Sequence, residues 1–203
     1  MEPTSLTTER LLLRPFTAAD APALHAACQD PDIPRYTSVP SPYTPEDARA
    51  FAGETCPAGW RDDSVYTWGV FTREGGRLAG SMSVVPLPQP SRERQAEIGY
   101  WTAKEQRGRG YTAEAAREAA RWAFERLGVE RLEWYAEAGN EGSRAVALKA
   151  GFTMEGTLRA KIAHAGTRRD AWTGSLLPSD LGLPSIAPYL PFPGRDRPAP
   201  GRG

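Results

Sequence analysis

The stretch Arg107-Gly108-Arg109-Gly110-Tyr111-Thr112, running without a break into Ala113-Glu114-Ala115-Ala116-Arg117-Glu118-Ala119-Ala120-Arg121-Trp122-Ala123-Phe124-Glu125-Arg126-Leu127-Gly128, decides how the chain is read. Two glycines let the backbone turn tightly and approach a ligand with no Cβ in the way. The helix that follows presents unpaired N–H groups and the positive end of its dipole, which makes an anion site out of main chain. Arg107 and Arg109 flank the turn with planar donors suited to phosphate oxygens.

Ala116, Ala120, Ala123, Phe124 and Leu127 fall on one stripe of that helix, which predicts packing against a sheet, and Gly128 is placed to end it. Glu114, Arg117, Glu118, Arg121 and Glu125 lie opposite, spaced for Glu114/Arg117, Glu118/Arg121 and Arg121/Glu125 pairs on a solvated face.

Outward from this stretch, Gln95 to Thr102 reads as a strand, preceded by strands at Val65 to Thr72 and Arg77 to Val85. The turn Glu74-Gly75-Gly76 and a loop from Pro86 to Arg94 join the three as an antiparallel meander. Earlier, Arg10 to Arg14 is a short strand, residues 18 to 29 form a helix capped by Thr17, and Thr44-Pro45-Glu46-Asp47 opens a second helix to about Phe51. Later come a strand at Arg131 to Ala136, a helix at Glu141 to Ala150, and strands at Phe152 to Ala160 and Arg168 to Leu177. The order βααβββαβαββ is a mixed α/β (α+β) fold in which a strand–helix–strand crossover carries the glycine turn.

The 203 residues have room for one domain with a good core. Twenty-five basic and 25 acidic residues cancel, so no overall field draws nucleic acid or an anionic membrane. No apolar run approaches the length of a membrane span and no secretory signal is visible, which favours a cytoplasmic setting. Cys28 and Cys56 are too few for a disulfide framework or a zinc site, and no metal cluster is expected. Neither these thiols nor His25 and His164 carry a catalytic pattern. From Pro178 prolines accumulate, and the chain after about Pro184 is expected to be loosely docked, with Ile186, Tyr189, Leu190 and Phe192 as side chains that could anchor it to the body or to a partner subunit.

Glu97-Ile98-Gly99-Tyr100-Trp101, the Arg107 to Thr112 turn, the helix after it, Asn140-Glu141-Gly142-Ser143, Lys149-Ala150-Gly151-Phe152 and Glu155-Gly156-Thr157-Leu158-Arg159 together resemble the GNAT acetyltransferases. Within them the chain is similar to the ribosomal-protein N-terminal alanine acetyltransferase branch. The resemblance covers residues 7 to 181, leaving 1 to 6 as an N-terminal extension and 182 to 203 as a proline-rich tail. It implies a mostly antiparallel sheet with helices on both faces and a splayed strand pair that holds the arm of coenzyme A.

By the same resemblance, main chain at Arg107, Gly108, Arg109, Gly110, Tyr111 and Thr112 binds the diphosphate of acetyl-CoA. Backbone of Trp101 and Thr102 bonds the pantetheine arm, and Asn140 bonds it from the other side. Thr112 departs from the small residue usual at its position. Glu97 is the expected base for the amine and Ser143 the expected proton donor to the thiolate, since Ala147 stands where many relatives have a tyrosine. Transfer is then direct, in a ternary complex, onto a primary amine that is either a protein N-terminus or a small amino compound. Trp60, Tyr36 and Tyr43, in the variable segment Asp30 to Arg61, are expected pocket walls or core residues.

Three points stay open at this stage: assembly as a homodimer; a non-catalytic CoA-binding sensor or interaction module on the same fold; and a dinucleotide-binding oxidoreductase. The last rests on Gly108-x-Gly110-x-x-Ala113, which follows polar residues rather than a buried strand.

Overall fold

The computed structural model describes residues 1–88 and 94–192. Residues 89 to 93 of the Pro86 to Arg94 loop, and residues 193 to 203 of the tail, lie outside the described residues.

Eight strands form one sheet: β1 (Leu6–Thr7), β2 (Leu11–Arg14), β3 (Tyr66–Thr72), β4 (Leu78–Pro86), β5 (Gln95–Thr102), β6 (Arg131–Glu137), β7 (Thr153–His164) and β8 (Thr167–Leu176), in the order β1-β2-β3-β4-β5-β6-β8-β7. Every neighbouring pair is antiparallel except β5 and β6. That parallel pair needs a crossover, and α5 (Tyr111–Trp122) supplies it. The remaining helices are α1 (Ala21–Ala27), α2 (Asp32–Tyr36), α3 (Pro45–Ala50), α4 (Cys56–Asp62) and α6 (Glu141–Ala150).

The meander and the crossover follow the sequence pattern, and the observed bounds of β5 and α6 coincide with the expected ones. Two helical stretches do not follow it. Residues 31 to 36, where no element was expected, contain α2, and the helix expected to stop near Phe51 continues through a π-helical turn at Phe51–Thr55 into α4. Both are short, and burial of Ile33, Ala52, Cys56 and Trp60 holds them where local pattern is weak.

Strand alternation splits the core in two. Ala96 and Ile98 of β5, with Leu132 and Trp134 of β6, pack under the alanines of α5 and under Ala147 and Ala150 of α6. Phe16, Leu24, Ile33, Tyr43, Ala48 and Phe71 build a second cluster with α1 and α3. Helix α5 continues as a π-helical turn through Leu127, and Gly128, at φ 65°, terminates it as expected. Its outer face is less solvated than the charge pattern suggests. Glu114 turns to Thr8 and Arg10 instead of Arg117, and of the three expected pairs Arg121–Glu125 forms, at 3.6 Å.

Trp60 and Tyr43 are core residues, 1% and 9% exposed, which leaves Tyr36, 42% exposed, as the aromatic of the three open to a ligand. Trp60, Tyr66, Trp68 and Trp122 meet edge to face, with Trp68 and Trp122 centroids 4.9 Å apart. Trp68 Nε1 donates to Thr4 O at 2.7 Å, whereas the buried Trp122 Nε1 has no partner among the described residues. A buried unsatisfied donor costs about 1–3 kcal/mol. Trp122→Phe is therefore expected to be less destabilising than Trp68→Phe by about 1 kcal/mol or more in urea unfolding, and equal losses would contradict that difference.

Beyond Leu181 the chain is held through Glu130, whose carboxylate accepts from Ser185 Oγ, from Ile186 N at 3.1 Å and from Ala187 N at 3.4 Å. The apolar side chains named as possible anchors stay largely open, although Tyr189 lines one hollow with Leu177 and Pro178. Ile186, Tyr189, Leu190 and Phe192 are 74%, 50%, 87% and 80% exposed.

Candidate active site

Strands β5 and β6 pair for three residues, Gln95–Glu97 against Arg131–Glu133, and then part. Beyond that point β5 continues to Thr102 paired with β4, and β6 continues to Glu137 paired with β8. A gap therefore opens in the middle of the sheet, and the edge of β5 at Ile98 to Thr102 that faces it is free of strand pairing. Trp101 and Thr102 line that edge. Close packing of β4 supports it from behind, where a Cβ on Gly80 would meet Trp101 O at 2.1 Å.

At the open end of the gap the chain makes its glycine turn. Gly108 and Gly110 both sit at φ 77°, a left-handed conformation that side-chain-bearing residues rarely adopt. The first helical bond of α5 is Glu114 N to Gly110 O at 3.1 Å, and the N–H groups of residues 108 to 113 donate to no carbonyl or side chain among the described residues. A row of free amides at a helix N-terminus is an anion site.

Arg10 braces the turn from outside: its Nη1 donates to Arg109 O at 3.0 Å, and its guanidinium stacks 4.8 Å from the centre of the Tyr111 ring. Glu114 fixes Arg10 in turn, accepting from its Nε at 2.7 Å and from Thr8 Oγ1 at 2.5 Å. Burial pushes the Glu114 carboxyl up, but these hydrogen bonds outweigh it and hold the group below the usual range. Nothing in the motif spacing pointed to Arg10, since it acts from the residue just before β2.

The two arginines of the turn differ. Arg107 is not free for phosphate: it pairs with Asp30 and, at 3.0 Å, with Asp32. Arg109 is exposed and its side chain has no partner among the described residues, so it is the available cation. The Thr112 hydroxyl bonds Thr102 Oγ1 at 2.5 Å and ties the helix start to the end of β5.

On the α5 side of the gap, Ser143 Oγ accepts from Trp134 Nε1 at 3.1 Å and donates to Tyr100 Oη at 3.3 Å. Tyr100 Oη donates to Ser143 O at 2.9 Å, and burial keeps its phenol well above the ordinary value, hence neutral. Ser143 is thus set between the two parted strands by a side chain from each. Asn140 Oδ1 caps α6 by accepting from Ser143 N at 3.1 Å, which leaves its amide nitrogen as the group open to a ligand. Ala147 is buried at 1%, and the phenol near this turn comes from β5. That role of Tyr100 was not visible from its neighbours in sequence.

Glu97 lies on the other face. Ala96 and Ile98 point into the α5 core, so the residue between them points away from it, level with Glu133. Burial raises the Glu97 pKa above the ordinary carboxylate value, Lys161 opposes the rise and Glu133 adds to it. No hydrogen bond or ion pair with a described residue holds the Glu97 carboxylate. Glu133, by contrast, is tied to Arg131 Nε at 3.0 Å and to Tyr135 Oη at 2.5 Å. Of the two acids beside the gap, Glu97 is the one free to take a proton.

Cys28 and Cys56 are buried, and burial raises their thiols to about 11 and about 12, which leaves them without nucleophilic character. Among the described residues no cluster could hold a metal ion, and no helix is long and apolar enough to cross a membrane.

A family model described as "Acetyltransferase (GNAT) domain" matches residues 10–153. "Uncharacterized N-acetyltransferase YoaA" of Bacillus subtilis is 31% identical over 165 residues, which is 81% of this chain and 92% of that protein. "Putative ribosomal N-acetyltransferase YdaF" of the same organism is 42% identical over 102 residues, 50% of this chain and 55% of its own. Among solved structures, one described as "a putative ribosomal-protein-serine acetyltransferase from Vibrio cholerae" superposes with a TM-score of 0.74 at 26% identity, covering 86% of this chain and 98% of that one. Other structures sharing the fold, at 20% identity, contain acetyl-CoA or coenzyme A.

Proposed function

We infer the acceptor and the roles of the site residues from one premise: the chain belongs to the GNAT acetyltransferase family and is an N-acetyltransferase that uses acetyl-CoA as cosubstrate. The free amides of residues 108 to 113, with Arg109, receive the diphosphate. The unpaired edge of β5 at Trp101 and Thr102, and the Asn140 amide opposite, receive the pantetheine arm. This brings the thioester into the gap from the α5 side, beside Ser143. The amine enters from the other face, beside Glu97, so base and thiolate donor work from opposite sides of one opening. Residues 7 to 181 make up this unit, with 182 to 203 as a tail.

Direct attack by the amine on the thioester carbonyl forms a tetrahedral intermediate. Glu97 takes the proton from its nitrogen, and collapse expels the thiolate, to which the Ser143 hydroxyl donates a hydrogen bond. For that the Ser143 hydroxyl turns away from Tyr100, and the Tyr100 hydroxyl swings from Ser143 O to Ser143 Oγ. Each hydroxyl keeps its own proton.

The acceptor is a protein N-terminus in the cytoplasm. The observation that carries this is the Glu97 carboxylate, half-buried and held by no hydrogen bond at the point where β5 and β6 part. A carboxylate is a modest base, and an α-amine has a pKa about 2.5 units below that of lysine, which makes its deprotonation about 3.5 kcal/mol less costly near neutrality. Relatives named as ribosomal N-acetyltransferases agree with a protein acceptor.

The test follows free thiol release from acetyl-CoA with peptides bearing a free α-amine, with N-terminally blocked lysine peptides, and with aminoglycosides and polyamines. Free α-amines are expected to turn over about 100-fold faster than blocked lysine peptides. Preference for an aminoglycoside or a polyamine would overturn the protein acceptor.

A further inference from the structure

Residues 30 to 36 cross the open end of the gap and are tied at both ends. On the β5 side, Asp30 and Asp32 pair with Arg107, which belongs to the cofactor turn. On the β6 side, Arg35 grips Glu137, the last residue of that strand, through two hydrogen bonds of 2.7 and 2.8 Å. Arg169 of β8 reaches the same carboxylate at 3.4 Å, and His164 Nε2 of β7 bonds Pro34 O at 3.0 Å. The segment is therefore a strap between the two strands that part, on the face where Glu97 waits. Ile33, 2% exposed, pins its middle.

The two ends are not equivalent. Glu137 keeps two arginines, Arg35 and Arg169, whereas the Asp30 side chain, 6% exposed, has Arg107 as its ionic partner. Removing one partner of a buried pair leaves a carboxylate without solvent or counter-charge, a costly state that the chain relieves by moving the group into water. Arg107 is also the arginine that opens the cofactor turn, and a diphosphate seated there carries more charge than a carboxylate.

We propose that Arg107 is a positioning residue that couples the two substrates: when the diphosphate of acetyl-CoA draws its guanidinium away, the Asp30 end of the strap is released and opens the acceptor side, while the Glu137 end stays latched. By linkage, an acceptor that holds the strap open raises the affinity for the cofactor by the same factor. The proposal rests on the cofactor turn binding the diphosphate.

Hydrogen exchange of the peptide spanning residues 28 to 37 in the whole protein, with and without saturating coenzyme A, tests it, together with calorimetry of coenzyme A binding. In the unmodified protein, exchange of this peptide should rise when coenzyme A binds. In Asp30→Asn/Asp32→Asn, exchange should already be high without coenzyme A and should not rise further. The same variant should bind coenzyme A about fivefold tighter, because the competing partners of Arg107 are gone. Binding of coenzyme A with exchange unchanged or slowed overturns the coupling alone. Absence of binding removes the cofactor turn and the coupling with it. The unmodified protein decides between these outcomes even if the variant fails to fold.

Discussion

Glu97→Gln lowers turnover by about two to four orders of magnitude while leaving coenzyme A affinity unchanged, the range expected for loss of a positioned general base. Glutamine fills the same space on β5 and cannot accept the proton, so the loss falls on kcat rather than on folding or cofactor binding. The pH profile supplies a sharper readout. Burial holds the Glu97 pKa above the ordinary carboxylate value, so the base becomes protonated as pH falls through that raised value, and the acid limb of kcat/KM should lie above where a solvated carboxylate would place it. Glu133 adds to the rise, so Glu133→Gln should retain most of the turnover and move the acid limb to lower pH. Steady-state kinetics across pH on the three proteins checks both statements. Full turnover in Glu97→Gln removes it from the chemistry, and an unmoved limb in Glu133→Gln removes the electrostatic link.

The second large effect belongs to Gly110. Valine there must adopt φ 77° directly before α5, and the left-handed region costs an ordinary residue about 1–2 kcal/mol, with more expected for a β-branched one. The nearest atom to an added Cβ is Arg10 Nη2 at 3.7 Å, so crowding by the protein is not the cause. The turn instead relaxes, the free amides of residues 108 to 113 lose their common direction, and coenzyme A binding should weaken by about 30-fold or more. Asn tolerates the left-handed region, so Gly110→Asn should retain binding within about fivefold if backbone conformation is what matters. Equal loss in both variants would show that the ligand itself needs the space. Normal binding in both would end the cofactor assignment. Calorimetry with coenzyme A, alongside thermal melting to confirm folding, separates these cases.

Much of the site was legible because its parts are local. A glycine turn at a helix start, an asparagine three residues before a serine, and a glutamate between two apolar strand residues are each defined within a few positions. The side chains around them were not legible. Arg107 looked like a phosphate ligand, yet it meets Asp32 across 75 positions, and Arg35 meets Glu137 across 102. Ser143 looked like a lone donor to the thiolate, and it stands between Tyr100 and Trp134, which come from strands on either side of the gap.

By itself the sequence determined the strands from β2 onward, the crossover helix, the backbone turn at Gly108 and Gly110 and the free N–H groups behind it. Those follow from φ preferences, alternation and helix periodicity, which act over a few residues. Only the tertiary structure decided that β5 and β6 part after three pairs, that Glu97 and Ser143 face opposite sides of the opening, and that residues 30 to 36 bridge it. These depend on which distant charges and apolar surfaces end up adjacent once the sheet has formed, and no spacing along the chain encodes that adjacency.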